Sequence, residues 1–388
     1  MLGLCLEGGG AKGAFHIGAI SALLDRGFVF DGVTGTSIGA VIGGALAQGD
    51  FIELREKWKD ITVTDLIDID GTKASNLFNG VWDKNDIKYG AGLIWQFIKN
   101  GGIPIDKAQD YLFAHLDETK IRNSKTDFGI VTILVTDKTR TLSEKFKPIE
   151  LFKEEIPEGQ LLDYILASAY FPAFKRKNLS DGRKYLDGGL YNNLPLNMLA
   201  RKGYDRIIAI RTGSRMPHKT VAHDNVRVDY INPSEFLGRV FTFTKENIHH
   251  NMTMGYFDAL RYIDDLSGVK YYVSKLSDSE FAQYAIDNFP VAFWEEEGFA
   301  KEAQMSDYAN LISTTFKPCF GVYDAFLCVL EAVAEKLGLG RFKVRTFEEF
   351  VKDISELCKI RAIYDLCIFL RNDKIPYNII NRIQKLIV

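Results

Sequence analysis

The stretch "VTGTSIGAVIGG", residues 33–44, sets Ser37 between Gly35 and Gly39 at the point where a short apolar run gives way to a small-residue segment. Val33–Thr36 reads as a buried strand and Ile38–Ala47 as the helix that follows it. A serine in Gly-x-Ser-x-Gly spacing at a strand-to-helix junction has the form of a nucleophile elbow. There the backbone turns sharply, and neighbours without bulk let it pass close to other elements. Gly39, Gly43 and Gly44 allow the helix to lie tight on a sheet. The alternative at this stage is a serine capping a small-residue helix.

Outward from this stretch, strands and helices alternate. Leu2–Leu6 is apolar throughout, as expected of a parallel strand buried on both faces. Ala14 to about Arg26 reads as a helix that Gly27 stops. Phe128–Val135 and Arg206–Arg211 are two further buried strands. The alternation predicts an α/β domain with a mainly parallel central sheet. Residues 51–125 form a polar, aromatic-studded segment that suits a cap over one edge. From Ser234 the pattern turns helical. Residues 234–266 read as one long helix, 269–276 as a strand, and the rest as a largely helical C-terminal region. We therefore expect a catalytic domain over 1–275, with its motifs in about 1–215, and a helical region over 276–388.

The bulk properties narrow the function. With 388 residues, 46% hydrophobic and 26% charged, the chain has ample core for a globular protein. A net charge of −3 leaves no footprint for nucleic acid and argues against strong electrostatic docking to membranes. Cys5, Cys319, Cys328, Cys358 and Cys367 are scattered without CxxC spacing and read as reduced thiols. The first residues, "MLGLCLEGGG", lack a basic leader, and no apolar run approaches the roughly 20 residues of a membrane span. The cytoplasm is the expected location.

A second glycine loop, Gly8-Gly9-Gly10-Ala11-Lys12-Gly13, joins the first strand to the first helix. Backbone N–H groups at such a helix start suit an anion or a developing oxyanion. The same loop matches a dinucleotide fingerprint, and Asp31 stands about 20 residues on, where a ribose-binding acid belongs. On this loop alone the two readings stand level. A dinucleotide site, however, has no use for the elbow at Ser37.

A serine nucleophile needs a proton acceptor. His16 lies inside an apolar helix, His115 on an amphipathic one, His218 and His223 in a polar loop, and His249-His250 side by side on a long helix. None stands at a glycine-flanked strand end. Asp187 does, in "KYLDGGLYNNLP" (residues 184–195), before Gly188-Gly189. Asp-Gly is also an ordinary turn signal. The acidic and histidine residues show no metal-ligand spacing.

Taken together, Gly-Gly-Gly-Ala-Lys-Gly, Gly-Thr-Ser-Ile-Gly, Ala167-Ser168 with Pro172, and Asp-Gly-Gly resemble, as a set, the blocks of the patatin-like phospholipases over roughly residues 1–215. The resemblance implies a three-layer α/β/α sandwich. It also implies a Ser–Asp dyad without histidine, Ser37 as nucleophile and Asp187 as base. Gly8, Gly9 and Gly10 then form the oxyanion hole, supported by Lys12, Gly13, Gly35, Gly39, Gly188 and Gly189. It implies no metal and no cofactor, an acyl-lipid substrate of phospholipase A or lysophospholipase type, and at most transient contact with a membrane surface. A dyad lacking an imidazolium is expected to cleave esters and thioesters and to spare amides. Phe236, Leu237, Val240, Phe241 and Phe243, or Tyr256, Phe257, Leu260 and Ile263, are candidates for an acyl channel or a bilayer contact, with helix packing the plainer alternative. Two other readings remain: a non-catalytic lipid-binding or regulatory module, and an oxidoreductase using Gly8–Gly13 with Asp31. The role of the C-terminal region and the oligomeric state are not implied.

Overall fold

The computed structural model describes residues 1–66, 102–136, 145–172, 174–175, 177–222, 225–288 and 322–360. His223, Cys319, Cys367 and residues 67–101 of the expected cap lie outside them. Strands β1 (Leu2–Leu6), β2 (Gly32–Thr36), β3 (Asp127–Val135), β4 (Phe146–Phe152), β5 (Lys184–Asp187), β6 (Arg206–Ile210) and β7 (Arg227–Ile231) build one sheet. Its order is β4-β3-β2-β1-β6-β7, with β5 against β3. The pairs β1–β2, β1–β6, β2–β3 and β6–β7 are parallel, whereas β4 and β5 run antiparallel to β3. The predicted strands are all present. Edge strands β4 and β7 were not anticipated, because β4 alternates charged and apolar residues around Pro148 and β7 is half exposed. Both are ordinary properties of strands at a sheet edge.

Strand β3 is longer than its neighbour. β2 pairs with Asp127–Val131, and β5 pairs with Thr132–Val135. Since β4 occupies the other edge over Gly129–Val135, β2 and β5 share one edge of β3, end to end. Their directions are opposed, so their carboxyl ends meet: Thr36 stands opposite Val131 and Asp187 opposite Thr132.

Helices cover both faces of the sheet. Helix α1 (Gly13–Asp25) follows β1, and α2 (Ile38–Gln48) follows β2. A Cβ on Gly43 of α2 would come within 3.2 Å of the Phe128 ring, whereas one on the next β3 residue, Gly129, would meet Met198 at 2.8 Å. Adjacent strand residues point to opposite faces. Hence α2 and the helix Leu196–Arg201 lie on opposite sides, giving an α/β/α sandwich.

The long helix expected over 234–266 is confined to Lys245–Ile263. Gly238 adopts φ +85°, and the Val240 carbonyl accepts the Ala11 N–H at 2.8 Å, so the earlier residues do not close helical hydrogen bonds. Thr244 Oγ1 accepts the Asn247 N–H and caps the helix where it does begin. The strand over 269–276 shortens to Tyr272–Val273, paired with Val344–Arg345.

The chain divides into two compact units, Met1–Ala259 and Leu260–Val388. The second has its own core, in which Phe281, Tyr323, Phe326, Phe347 and Phe350 pack between the helices Asp278–Asn288, Val322–Leu337 and Phe347–Ile360. Buried Glu331 accepts the main-chain N–H groups of Val269, Lys270 and Tyr271 there. Among the described residues, no helix is long and apolar enough to cross a membrane.

Candidate active site

Ser37 sits between β2 and α2 with φ 57° and ψ −124°, a conformation that residues with a side chain rarely adopt. The glycines on either side are there because of close approach. A Cβ on Gly35 would come to 2.3 Å of the Gly39 carbonyl, and one on Gly39 to 2.4 Å of the Leu6 carbonyl oxygen. The Ser37 N–H donates to Ser168 Oγ at 2.9 Å, and Ser168 ends the helix Leu161–Ser168. Gly8 adjoins the same point, its built Cβ falling 3.2 Å from Ser37 Cβ.

Asp187 reaches Ser37 because β5 ends where β2 ends. It is 6% exposed, accepts the Gly189 N–H at 2.7 Å and interacts with the Ser37 hydroxyl. Burial raises its pKa from 3.8 to about 6, and the bonds from Gly189 and Ser37 pull it back only in part. Gly188 allows the turn to lie on the sheet, since a Cβ there would stand 2.1 Å from the Val131 carbonyl oxygen.

The glycine loop is fastened on three sides. Gly8 donates its N–H to the Asn193 carbonyl at 3.1 Å, so of the three expected oxyanion donors this one is already committed. The N–H groups of Gly9 and Gly10 carry no bond within the described residues. Gly10 has φ +58°, and a Cβ on it would strike the Val240 carbonyl oxygen at 2.4 Å. Beneath the loop, buried Glu7 accepts the Thr212 N–H at 2.6 Å, and the Thr212 hydroxyl donates to the Gly8 carbonyl at 2.8 Å. Lys12 is buried beside this network, its ammonium directed to the Thr212 carbonyl and its pKa lowered by burial, with the charge of Glu7 opposing.

An open, apolar pocket extends from Ser37, Asp187 and Gly10. Ile38, Val41, Trp58, Ile105, Leu112, Leu166, Phe171, Phe174, Phe241 and Phe243 wall it, and Tyr111 and Tyr170 add ring faces. Phe171, Phe174 and Phe241 meet edge to face with centroids 5.6–6.2 Å apart. Among the described residues, no histidine lines it. His16 is fully buried, and burial lowers its pKa to about 3, so it stays neutral. His115 contacts the Tyr111 carbonyl, His249 the Lys59 carbonyl and His250 the Glu235 carboxylate, each away from Ser37.

The structure therefore brings Ser37, Asp187 and the glycine loop to one point. Asp31 does not join them. Its carboxylate accepts the Leu2 N–H at the amino end of β1, whereas Gly8–Gly13 lie beyond the carboxyl end. A ribose-binding acid would have to stand at the carboxyl end, so the dinucleotide reading loses its second residue. Sequence reading had no means of finding Ser168 as the partner of the Ser37 amide, nor Thr212 as the partner of Gly8. Asn193 lay within the quoted Asp187 stretch but carried no distinguishing pattern. Among the described residues, no group of acidic, cysteine or histidine side chains is arranged to hold a metal.

Comparison with known proteins bears on the same region. A patatin-like phospholipase domain-containing protein of Caenorhabditis elegans is 28% identical over 225 residues, covering 55% of this chain and 14% of that protein. The lysophospholipase NTE1 of Yarrowia lipolytica is 29% identical over 213 residues, covering 55% of this chain and 13% of its own. An NTE family protein of Mycobacterium tuberculosis is 27% identical over 230 residues, covering 59% and 54%. The chain thus spans about half the length of its mycobacterial relative and a small part of the eukaryotic ones. Among solved structures, VipD from Legionella pneumophila aligns with a TM-score of 0.41 at 15% identity, over 99% of this chain and 90% of that one. The sequence model of the patatin-like phospholipases matches residues 4–200 of the 388, a span holding the Gly8–Gly13 loop, the elbow and the Asp-Gly-Gly turn. On that match, the chain belongs to the patatin-like phospholipase family.

Proposed function

We propose that this protein is a serine esterase of lipids, cleaving fatty-acyl esters of phospholipids or lysophospholipids through Ser37 and Asp187. The observation that carries this reading is a strained serine facing a buried carboxylate at the end of an apolar pocket that, among the described residues, no histidine lines.

A carboxylate at its ordinary pKa is a poor base for an alcohol. Burial raises the proton affinity of Asp187, and contact with Ser37 removes the search for a partner. In the first step the Ser37 Oγ attacks the acyl carbonyl carbon while its proton passes to Asp187. The tetrahedral oxyanion takes hydrogen bonds from the N–H groups of Gly9 and Gly10, which carry no bond within the described residues. Losing one such donor typically raises the barrier by about 2.7–4 kcal/mol. Collapse breaks the ester C–O bond, and protonated Asp187 returns its proton to the leaving alkoxide. Water, deprotonated by Asp187, then attacks the acyl carbonyl carbon; the bond to Ser37 Oγ breaks, Asp187 returns the proton to Oγ, and the fatty acid leaves. No step calls on a metal or a cofactor. The pocket wall accepts an acyl chain, and among the described residues Asp187 is the one charged side chain that lines it, a lining that suits the chain rather than the headgroup.

The test is covalent labelling with a fluorophosphonate, followed by peptide mapping, on the wild type, Ser37→Ala and Asp187→Asn. One adduct at Ser37, absent from both variants, is the expected result. Labelling of a different residue, or undiminished labelling of Asp187→Asn, overturns the assignment. Comparable turnover of a matched amide and ester contradicts the aspartate-only proton transfer.

A further inference from the structure

Between Ile231 and the helix Lys245–Ile263 the chain passes directly over the glycine loop. The crossing is held by the Ala11 N–H to Val240 carbonyl bond, 2.8 Å long. After it, Val240, Phe241 and Phe243 turn into the apolar pocket. Before it, Phe236 is 78% exposed.

This exposure is not that of a loose tip. The Asp258 carboxylate accepts both the N–H and the hydroxyl of Ser234 at 2.8 Å. Buried Asn251 donates to the Leu237 carbonyl at 2.9 Å, and Asn247 to the Thr242 carbonyl at 3.0 Å. The segment is pinned before, beside and after Phe236, and Leu237 is buried beneath it. A fold that fixes a large aromatic ring in water forgoes its burial, and a ring so held marks a contact surface. Arg239, exposed on the same turn, makes no ion pair within the described residues. The Lys12 ammonium lies 5.6 Å from the Phe236 ring centre, so cationic charge stands both beside and below the ring. Glu235, beside Phe236 in sequence, faces His250 at 3.6 Å.

We propose that Ser234–Phe243 is an interfacial anchor for a lipid surface bearing anionic headgroups. Phe236 enters the acyl layer and Arg239 meets a headgroup. The pocket walled by Val240, Phe241 and Phe243 takes its chain from the same surface. The inference rests on the acyl-hydrolase reading, because continuity between exposed ring and acyl pocket is what selects lipid over a protein partner. With a net charge of −3 the attachment is local and largely apolar.

The experiment uses the full chain, with Phe236→Ser and Arg239→Gln. Sedimentation with phosphatidylcholine vesicles, with and without phosphatidylglycerol, measures partitioning. A water-soluble short-chain nitrophenyl ester and a vesicle-embedded phospholipid measure turnover. Phe236→Ser is expected to weaken vesicle binding about tenfold, and Arg239→Gln about fivefold on anionic vesicles only. Both variants keep wild-type turnover of the soluble ester. Unchanged vesicle binding overturns the anchor and leaves the ring to a protein partner. An equal loss on both substrates also overturns it and assigns Phe236 to support of Lys12. A wild type inert toward the soluble ester counts against the hydrolase reading, while the sedimentation arm still decides the anchor.

Discussion

The main-chain N–H of Ser37 is bonded to the hydroxyl oxygen of Ser168, 131 residues away, at 2.9 Å. The bond holds a backbone at φ 57° that would otherwise relax. In Ser168→Ala the buried amide loses its acceptor, and such a loss costs about 1–3 kcal/mol. We expect that drop in urea denaturation, together with fluorophosphonate labelling of Ser37 slowed about tenfold. A destabilised variant that labels at the wild-type rate would show that Ser168 serves the fold alone.

Asp187 makes both activity and stability depend on pH. As the base of the proposed mechanism it works deprotonated, so kcat/KM should rise through about pH 6 and level off above. Stability runs the other way. The folded-state pKa lies above the unfolded one, so the folded protein holds this proton more tightly. The advantage is full below about pH 4 and is lost as pH rises through about 6. Asp187→Asn keeps an acceptor for Gly189 and removes the buried charge. The variant should be inactive yet more stable than wild type at pH 8, by at most about 3 kcal/mol, with no difference near pH 4. Denaturation midpoints at the two pH values decide this, and equal gains at both would contradict it.

Glu7 and Thr212 set the glycine loop from below. The Gly8 carbonyl takes the Thr212 hydroxyl, and Thr212 is itself held by the Glu7 carboxylate, with the Arg211 guanidinium 3.8 Å from its second oxygen. Thr212→Val keeps the shape and removes the donor. Its kcat should fall about tenfold at unchanged KM, since a loop that misaims donors weakens transition-state binding. Thr212→Ser should restore most of the rate. A parallel rise in KM would point to a general loosening of the pocket instead.

Chain length is the property the pocket wall should control. Ala108, on the helix Asp106–His115, is a lining residue among larger neighbours. Ala108→Trp fills part of the space beyond Ser37. Hydrolysis of long-chain esters should drop by more than tenfold relative to butyryl esters, a difference of roughly 1.4 kcal/mol or more in transition-state binding. Steady-state rates over a series of acyl lengths read it directly, and a uniform loss would place Ala108 away from the chain.

What sequence alone conveyed follows from where each signal resides. Strands β1, β3 and β6 lie inside the sheet and show as largely apolar runs, β2 (Gly-Val-Thr-Gly-Thr) shows through the elbow that follows it, and Ser37 and Asp187 show because both need glycine beside them. β4 and β7 lie at edges, where half-exposed residues blur the pattern. The apolar residues of 234–244 mimic a helix face, but Phe236 points outward, Phe241 and Phe243 point into a pocket, and Val240 serves the glycine loop through its carbonyl. Side-chain periodicity carries no trace of such a backbone bond. The supports of Ser37 and Gly8 likewise join residues far apart in the chain, so no local spacing announces them.

The meeting of β2 and β5 along β3 makes the separation of Ser37 and Asp187 a discrete quantity. Both strands are indexed to the same ladder, at Val131 and Thr132. Sliding β5 by one residue would turn Asp187 to the opposite face, and sliding it by two would carry the carboxylate about 6.8 Å along the ladder. Loop insertions on either side leave that index untouched. The pair therefore tolerates wide variation in the connections around it, while a single deletion inside Lys184–Asp187 abolishes it outright.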